Sequence, residues 1–332
     1  MALLSVTHPT LLDLRTRMDP DDSIARIIEM LGQTNEIIDD MVWLEGNLPT
    51  GHRTTVRTGL PSVTWRKLYG GVQPSKSTTA QVTDSCGMLE AYAEVDKALA
   101  DLNGNTEAFR MSEDRSFIEA MNQEFAQTLI YGNEGTEPEA FTGFAPRYND
   151  QAALNGENII TSAATPDASD NTSMWLVVWG PNTVHGIYPK GSNAGLKMTD
   201  KGQVTVENID GASGRMEAYR THYRWDTGLT VRDWRYIVRI NFDLEDMVKD
   251  AASGPDLTDL MVQALELIPS LSAGRPAFYC NRTVKTWLRR QAINKVKNSS
   301  LTIDTLAGKP ATMFDGVPIR RCDQILNTET GI

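Results

Sequence analysis

Residues 46–83 read GNLPTGHRTTVRTGLPSVTWRKLYGGVQPSKSTTAQVT, and the rest of the chain is organised around this segment. It contains five basic residues and no Asp or Glu, although the whole chain has 32 Lys and Arg against 43 Asp and Glu. Glycines and prolines divide it into short extended pieces and turns, and its apolar residues are too few to form a core. A connection of this length is typical of a functional arm or of a disordered segment.

Alternation within this segment predicts a two-stranded arm. Residues 63–67 place successive side chains on opposite faces, as a strand does, and residues 53–57 are expected in the partner strand. A solvated loop explains the composition equally well, so both interpretations stay open. If the arm contacts another molecule, the candidate side chains are Arg53, Arg57, Trp65, Arg66, Lys67 and Lys76.

The whole-chain composition is that of an acidic globular protein. Its 332 residues are 40 % hydrophobic and suffice for two or three domains. The formal charge of −11 argues against a general nucleic-acid-binding protein. The apolar run around Trp175–Trp179 is far too short to cross a membrane, and the N-terminus lacks the charged region of a signal peptide. Cys86, Cys280 and Cys322 are odd in number and scattered, as expected of reduced thiols in a cytosolic protein.

Residues 84–140 reverse the charge of the arm, with thirteen acidic residues against three basic ones. We predict one helix from Asp84 or Ser85 to Leu102, and a second from Thr106 to Tyr131 that stops at Gly132. The second helix would span about 39 Å. Its predicted buried face consists of Phe117, Ile118, Met121, Phe125 and Leu129. A solvated helix face is the simpler explanation for any single acidic residue here.

The remaining elements are predicted from caps and periodicity. A helix begins at Asp19, and strands are expected at 174–179 and 184–188. Alternation predicts a long hairpin over 215–241 with its turn at 226–228. A helix at 257–267, a strand at 276–280 and a helix capped by Asn281 follow. That last region is basic, for which we favour a solvated or subunit-facing helix over a nucleic-acid-binding face; its basic residues are Arg275, Arg282, Lys285, Arg289, Arg290, Lys295 and Lys297.

Sequence motifs give no support for catalysis. The chain has no Gly-rich phosphate-binding loop, no His-Glu-x-x-His, no Cys-x-x-Cys and no Gly-x-Ser-x-Gly. Its histidines, His8, His52, His185 and His222, are isolated in the sequence, and a structural role is favoured for each. We therefore predict no enzyme activity, no cofactor and no metal site.

The order of these features resembles the major capsid proteins of tailed bacteriophages, and of short-tailed phages in particular. The local sequences that carry the resemblance are IYGN at 130–133, EPEAFTGF at 137–144, HGIYPKG at 185–191, WDTGLTVRDWR at 225–235, CNRTVKTWL at 280–288 and DGVPIR at 315–320. The resemblance covers nearly the whole chain and implies an α+β fold of the Hong Kong 97 type.

In that fold, residues 1–45 would be an N-terminal arm and 46–83 the extended loop. Residues 84–250 would be the peripheral domain, with its spine helix at 106–131 and its hairpin at 215–241, and 251–332 the axial domain. The strand and helix that resemble axial elements follow the hairpin, whereas the family places them before the last peripheral strands. A rearranged connectivity is therefore one expectation.

The implied function is that of a non-catalytic shell subunit. Copies would form the hexamers and pentamers of an icosahedral head around the genome, in the virion after assembly in the host cytoplasm. Implied partners are a portal protein, a cement or decoration protein, and packaged double-stranded DNA bound nonspecifically. Because little chain precedes Asp13, a separate scaffolding protein is expected rather than a removable extension. The alternatives are an encapsulin-like cellular compartment and, in a different class, a cytosolic hydrolase with an unrecognised site.

Charge suggests how such subunits would meet. The basic loop can hardly fold back over the long helix of its own chain, but it could lie on the acidic helices of a neighbour. Trp65, Leu68 and Tyr69 would then supply apolar anchors. The predicted acceptors are Glu90, Glu94, Glu107, Glu113, Asp114, Glu119 and Glu124.

Overall fold

The computed structural model describes residues 33–102, 106–162, 169–207, 214–248, 254–294, 301–306 and 309–332. Within these ranges, thirteen strands connect into one branched sheet, and the helices lie against it. The helix predicted from Asp19 falls outside the described residues. The mixture of helix and sheet is that of the α+β class predicted from the sequence.

Two of the described α-helices have the bounds that the sequence predicts. The α-helices are α1 Ile37–Asp40, α2 Lys97–Ala100, α3 Thr106–Tyr131, α4 Leu257–Leu267 and α5 Arg282–Asn294. The long helix α3 ends because the amide of Gly132 closes the last turn on the Thr128 carbonyl at 2.8 Å. A Cβ at Gly132 would lie 2.5 Å from the Phe141 carbonyl oxygen, so only glycine lets the chain turn back here.

The caps of α4 and α5 also follow the sequence. Asp256 accepts hydrogen bonds from the amides of Thr258 and Asp259 at the start of α4. Asn281 Oδ1 accepts from the Val284 amide at 2.9 Å, as predicted for the first turn of α5. Helix α3 departs from prediction at one position of its buried face, because Ile118 is 43 % exposed.

The sheet is built from strands of very different length. The strands are β1 Trp43–Glu45, β2 Gly51–Gly59, β3 Thr78–Asp96, β4 Ile159–Thr161, β5 Asn171–Trp179, β6 Val184–Tyr188, β7 Lys197–Glu207, β8 Arg215–Val231, β9 Ile237–Asp243, β10 Arg275–Cys280, β11 Leu301–Leu306, β12 Lys309–Phe314 and β13 Val317–Arg321. The main hydrogen-bonded order is β11-β12-β13-β10-β5-β6-β8-β3-β2, with β1 on β6, β7 on β8, β4 on β9 and β9 on β5.

Strand β5 lies at the centre of the core and is buried along its whole length. On one face its side chains pack with β9, β10, α4 and α5, and on the other they pack with α1, the end of α3 and residues 141–148. Trp175 and Trp179 are fully buried on the second face, where Phe144 lies 5.6 Å and 6.1 Å from their ring centroids. Burial on both faces explains why residues 174–179 of this strand form a continuous apolar run without alternation.

The helix predicted from residue 84 to 102 is wrong, because this region is mostly the 19-residue strand β3, and only α2 is helical. Leu89, Ala91, Ala93 and Val95 pack toward α3 and β8, while the residues between them face the other way. This alternation has the period of two residues that is typical of a strand. Glu, Ala and Met favour helices in isolation, but pairing with β8 on one edge overrides this weak preference.

The hairpin predicted over 215–241 is also wrong. Strand β8 continues through residues 226–228 and pairs with β7 instead, whereas β9 pairs with β4 and β5. Gly228 looks like a turn residue in the sequence, but it permits close strand packing: a Cβ there would lie 2.5 Å from the Ser85 carbonyl oxygen. Strand β8 nevertheless alternates, since Thr221 and Tyr223 are buried on one face while Arg220 and Arg224 lie on the other.

Candidate intersubunit surface

Strands β2 and β3 form an arm that leaves the body of the molecule. From residue 86 onward β3 pairs with β8, but its first residues, Thr78 to Thr83, pair only with β2. These residues and most of β2 beyond Arg53 are exposed or half-buried. The arm therefore projects as a two-stranded ribbon, continued by residues 60–77 at its tip.

The pairing inside the arm differs from the prediction. Arg53 and Arg57 do lie in a strand, but their partners are Thr83 and Thr79, and the described residues 60–77 include no strand. Two prolines in 60–77 lack the N–H that a ladder requires, whereas the Thr-rich stretch 78–83 suits a strand.

The tip exposes a cluster of large apolar side chains. Trp65 and Tyr69 are about fully exposed, at 104 % and 99 %, and the neighbouring exposed residues are Leu60, Val63, Leu68 and Val72. The amide of Gly70 donates to the Lys67 carbonyl at 3.0 Å, and Tyr69 has φ of 60° in this turn. A monomer rarely exposes so many large apolar side chains within so short a segment, so these residues indicate a contact with another molecule.

The cations of the arm are equally uncommitted. Within the described part of the chain, none of Arg53, Arg57, Arg66, Lys67 and Lys76 forms an ion pair with an acidic side chain. The Arg53 guanidinium donates only to the Thr83 hydroxyl, at 3.3 Å. Their charge is available to a partner.

The base of the arm is held firmly. Asn47 donates to the Arg53 carbonyl at 2.8 Å and accepts from the Arg53 amide at 2.7 Å. The buried carboxylate of Asp84 pairs with Arg147 at 2.9 Å. A Cβ at Gly51 would lie 2.0 Å from the Asp84 carbonyl oxygen, so glycine lets β2 and β3 approach closely here. These contacts fix the direction in which the arm leaves the body.

Two of the predicted acidic acceptors are neither helical nor free. Glu90 and Glu94 lie on β3 and face the basic side of β8. Glu94 pairs with Arg220 at 2.6 Å, and Glu90 lies 3.4 Å from Arg224 and 3.3 Å from His222. They therefore compensate charges of their own chain.

Some of the acceptors predicted on α3 are buried or have contacts within their own chain, and others are exposed. Glu113 is buried, and Asp114 lies near Tyr223, where burial first and then the negative charge of Asp114 raise the pKa of the tyrosine. Glu119 accepts from the Gln33 amide at 2.9 Å and from Gln123 at 2.8 Å. Glu107 and Glu124 are exposed.

A groove that the sequence did not reveal lies beside Glu124. It has a volume of about 230 Å³ and is bounded by β3, by α3 and by residues 137–141. A Cβ at Gly87 would lie 2.9 Å from the Glu139 carbonyl oxygen, which shows how closely that loop packs on β3. Glu137 and Glu139 stand at its edge; the excess of acid in 84–140 was visible in the sequence, but the fold was needed to place these two beside Glu124.

Other kinds of site receive no support in the described ranges. There is no group of three or more His, Cys, Asp or Glu placed to hold a metal ion. No helix described there is long and apolar enough to cross a membrane. The histidines are less isolated than the sequence indicates, because the rings of His52 and His185 lie 5.9 Å apart.

Comparison with known proteins shows a strong likeness to capsid proteins. The family model "Major capsid protein GP7" matches residues 19–332, while no curated protein matches the chain. A solved structure of bacteriophage Epsilon15 is 38 % identical, covers 100 % of this chain and 99 % of its own, and has a TM-score of 0.80. The capsid of bacteriophage JBD30 is 6 % identical over 89 % of this chain and 92 % of its own, with a TM-score of 0.48. An encapsulin complex of Synechococcus elongatus is 12 % identical over 66 % of this chain and 93 % of its own, with a TM-score of 0.39.

Proposed function

Because this chain belongs to the GP7 family of major capsid proteins, we propose that residues 46–83 carry the contacts that hold neighbouring subunits together in its shell. The chain is a major capsid protein of a bacteriophage with a Hong Kong 97-like fold, and many copies of it form the capsid of the virion. The family is structural and not enzymatic. Membership in this family supports neither of the two alternatives, an encapsulin compartment or a hydrolase.

The main support for this proposal is the exposed surface of the arm formed by β2, β3 and residues 60–77. It exposes Trp65 and Tyr69 almost completely, and its five cations lack acidic partners within the described residues. A monomer gains nothing from such a surface, whereas an array of identical subunits can bury it on every neighbour. Exposed ion pairs contribute only about 0.2–1 kcal/mol each, so their main effect would be on register and on rejection of incorrect docking.

The acceptor surface proposed here is smaller than the one predicted from the sequence. Glu90, Glu94 and Glu119 already have partners in their own chain, and Glu113 is buried. Glu107 and Glu124 are the predicted acceptors that remain exposed. We therefore place the contact on the exposed side of α3.

The division into family domains also changes in detail. We keep 1–45 as the N-terminal arm and 46–83 as the extended loop. Strands β5 and β9 pack on the same core as α4 and α5, and β5 pairs with β10, so the sheet crosses the boundary expected at residue 250. We assign β4, β5, β6 and β9 to the axial unit with 251–332, and β3, β7, β8 and α3 to the peripheral unit.

Further partners follow from the same function. A scaffolding protein, a portal protein and a cement protein would act during or after assembly in the host cytoplasm. Contact with packaged DNA would be nonspecific and weak, through exposed cations of α5 such as Arg282, Arg289 and Arg290. The net charge of −11 limits the strength of any such contact.

The double variant Arg53→Glu, Arg57→Glu tests the proposed role of the arm. Both side chains lie on the exposed part of β2, so the subunit should fold and melt as the wild type does. Reversing the charge at both positions changes the net charge of each subunit by four units, which should block assembly or give particles of the wrong size. The measurements are particle yield by electron microscopy and the melting temperature of the unassembled subunit.

The matched control is Arg215→Glu, because Arg215 is also exposed on a strand but pairs with Glu207 in its own chain. This variant should assemble normally. Normal assembly of the Arg53, Arg57 double variant, or its simple unfolding, would contradict a role of the arm as an intersubunit contact.

A further inference from the structure

The groove between β3, α3 and residues 137–141 has the shape of a receptor for a side chain. Its floor is apolar, formed by Leu89, Phe125 and Phe141. Phe125 and Phe141 are buried, with ring centroids 5.9 Å apart, so the floor is a fixed part of the core. A volume of about 230 Å³ suits one large side chain rather than a whole helix or strand.

Negative charge surrounds this apolar floor. Glu124, Glu137 and Glu139 line the groove and are exposed. In the part of the chain that the structure describes, none of the three forms an ion pair. The groove would therefore favour an aromatic side chain flanked by cations.

The tip of the arm presents that combination. Trp65 is fully exposed and is followed directly by Arg66 and Lys67. The two features lie on the same chain but are far apart, since β3 runs without interruption from Gly87, in the groove wall, to Thr78, at the outer end of the arm. At about 3.4 Å per residue, these nine steps separate them by about 30 Å before the tip begins.

We propose that the groove formed by Leu89, Phe125 and Phe141 receives Trp65 of a second copy of this chain, with Arg66 and Lys67 paired to Glu124, Glu137 and Glu139. This inference rests on the proposed role of the arm and names its receptor. The aromatic ring supplies most of the buried area, and the carboxylates orient it. Every subunit carries one tip and one groove, so the contact is heterologous and can repeat around a ring.

Disulfide trapping tests the placement directly. In a Cys86→Ser background, which removes the native thiol next to Gly87, Lys67→Cys is combined with Glu139→Cys. Assembled particles are oxidised and analysed on denaturing gels without reductant. Neighbouring subunits should become linked into a ladder of multimers, which adding reductant collapses to monomer.

The control pairs Lys67→Cys with Met198→Cys, because Met198 is 61 % exposed on β7 and lies outside the groove. No ladder is expected from it. A ladder only in the control would overturn the groove assignment while leaving the arm as the intersubunit contact. Absence of a ladder in both pairs overturns the groove as well, and the Arg53, Arg57 variant then decides separately whether the arm contacts a neighbour at all.

A charge exchange provides a second measurement if the cysteine variants fail to assemble. Glu139→Lys should lower particle yield at least tenfold without changing the melting temperature of the subunit. Adding Lys67→Glu to the same chain should restore most of that yield, because the pair then has opposite charges again. Failure of the second change to restore assembly would overturn the pairing of these residues.

Discussion

At the scale of single residues, the base of the arm contains a group that responds to pH. His52 is the second residue of β2 and His185 lies on β6, and both imidazoles are buried. The Arg232 guanidinium donates to His52 Nε2 at 3.1 Å, and the charge of Asp84 also acts on this ring. Burial first, and then Arg232, lower the pKa of both rings, that of His185 to about 4. The sequence could not show this pair, because its members are 133 positions apart along the chain.

These histidines predict that the subunit loses stability as the pH falls below about 6.5. In that range the unfolded chain binds a proton that the folded His185 does not, so the free energy of unfolding decreases with falling pH. Between pH 7.5 and pH 5 the loss from His185 is about 2 kcal/mol. Denaturant unfolding of the unassembled subunit at both pH values measures it. His185→Gln should reduce the difference between the two pH values, and an unchanged difference would contradict the assignment.

At the scale of elements, prediction succeeded where local signals agreed with the final environment. Helix α3 carries a start signal, a stop at Gly132 and a buried stripe, and it was predicted with its observed bounds. Strand β3 was missed because its helix-favouring residues are overridden by pairing with β8, which comes from a distant part of the sequence. For the same reason Glu90 and Glu94 were assigned to a helix, and the groove beside α3, which needs three separate segments, was not predicted.

The sequence analysis did not predict a structure for the C-terminal segment. A buried ion pair between Glu329 and Arg239 holds this segment against the core. Glu329 accepts from Arg239 at 2.7 Å and from the Tyr131 hydroxyl at 2.5 Å, and it also hydrogen-bonds Ser173. Glu329→Ala would leave the Arg239 guanidinium buried without its anion and should lower the free energy of unfolding by about 3–5 kcal/mol. Denaturant unfolding measures the change. Glu207→Ala, which breaks an exposed pair with Arg215, should cost less than about 1 kcal/mol, and equal effects of the two variants would be evidence against this role.

At the scale of the whole molecule, charge is distributed unevenly, as the proposed contact between the arm and a neighbouring subunit requires. The chain carries −11 overall, yet residues 46–83 carry five cations and no acid. Under that proposal, repulsion between acidic bodies would keep free subunits apart, while the basic arm would attract the acidic surface of a neighbour. The same distribution means that any contact with DNA would be weak and nonspecific, because the body as a whole repels phosphate.

This distribution predicts that assembled particles depend on ionic strength and not on disulfides. At 1 M salt the screening length falls to about 3 Å, so exposed pairs between arm and neighbour weaken and particles should loosen or dissociate. Cys280 and Cys322 are buried and Cys86 is half-buried, all three are free thiols, and burial raises the pKa of each to about 12, so reductant should change nothing. Gradient sedimentation of particles in 0.1 M and 1 M sodium chloride, with and without reductant, separates the two effects. Dissociation by reductant alone would contradict this prediction, because it would require covalent links between subunits. Full resistance to 1 M salt would also contradict it, because apolar contacts such as that of Trp65 would then hold the shell without the cations of the arm.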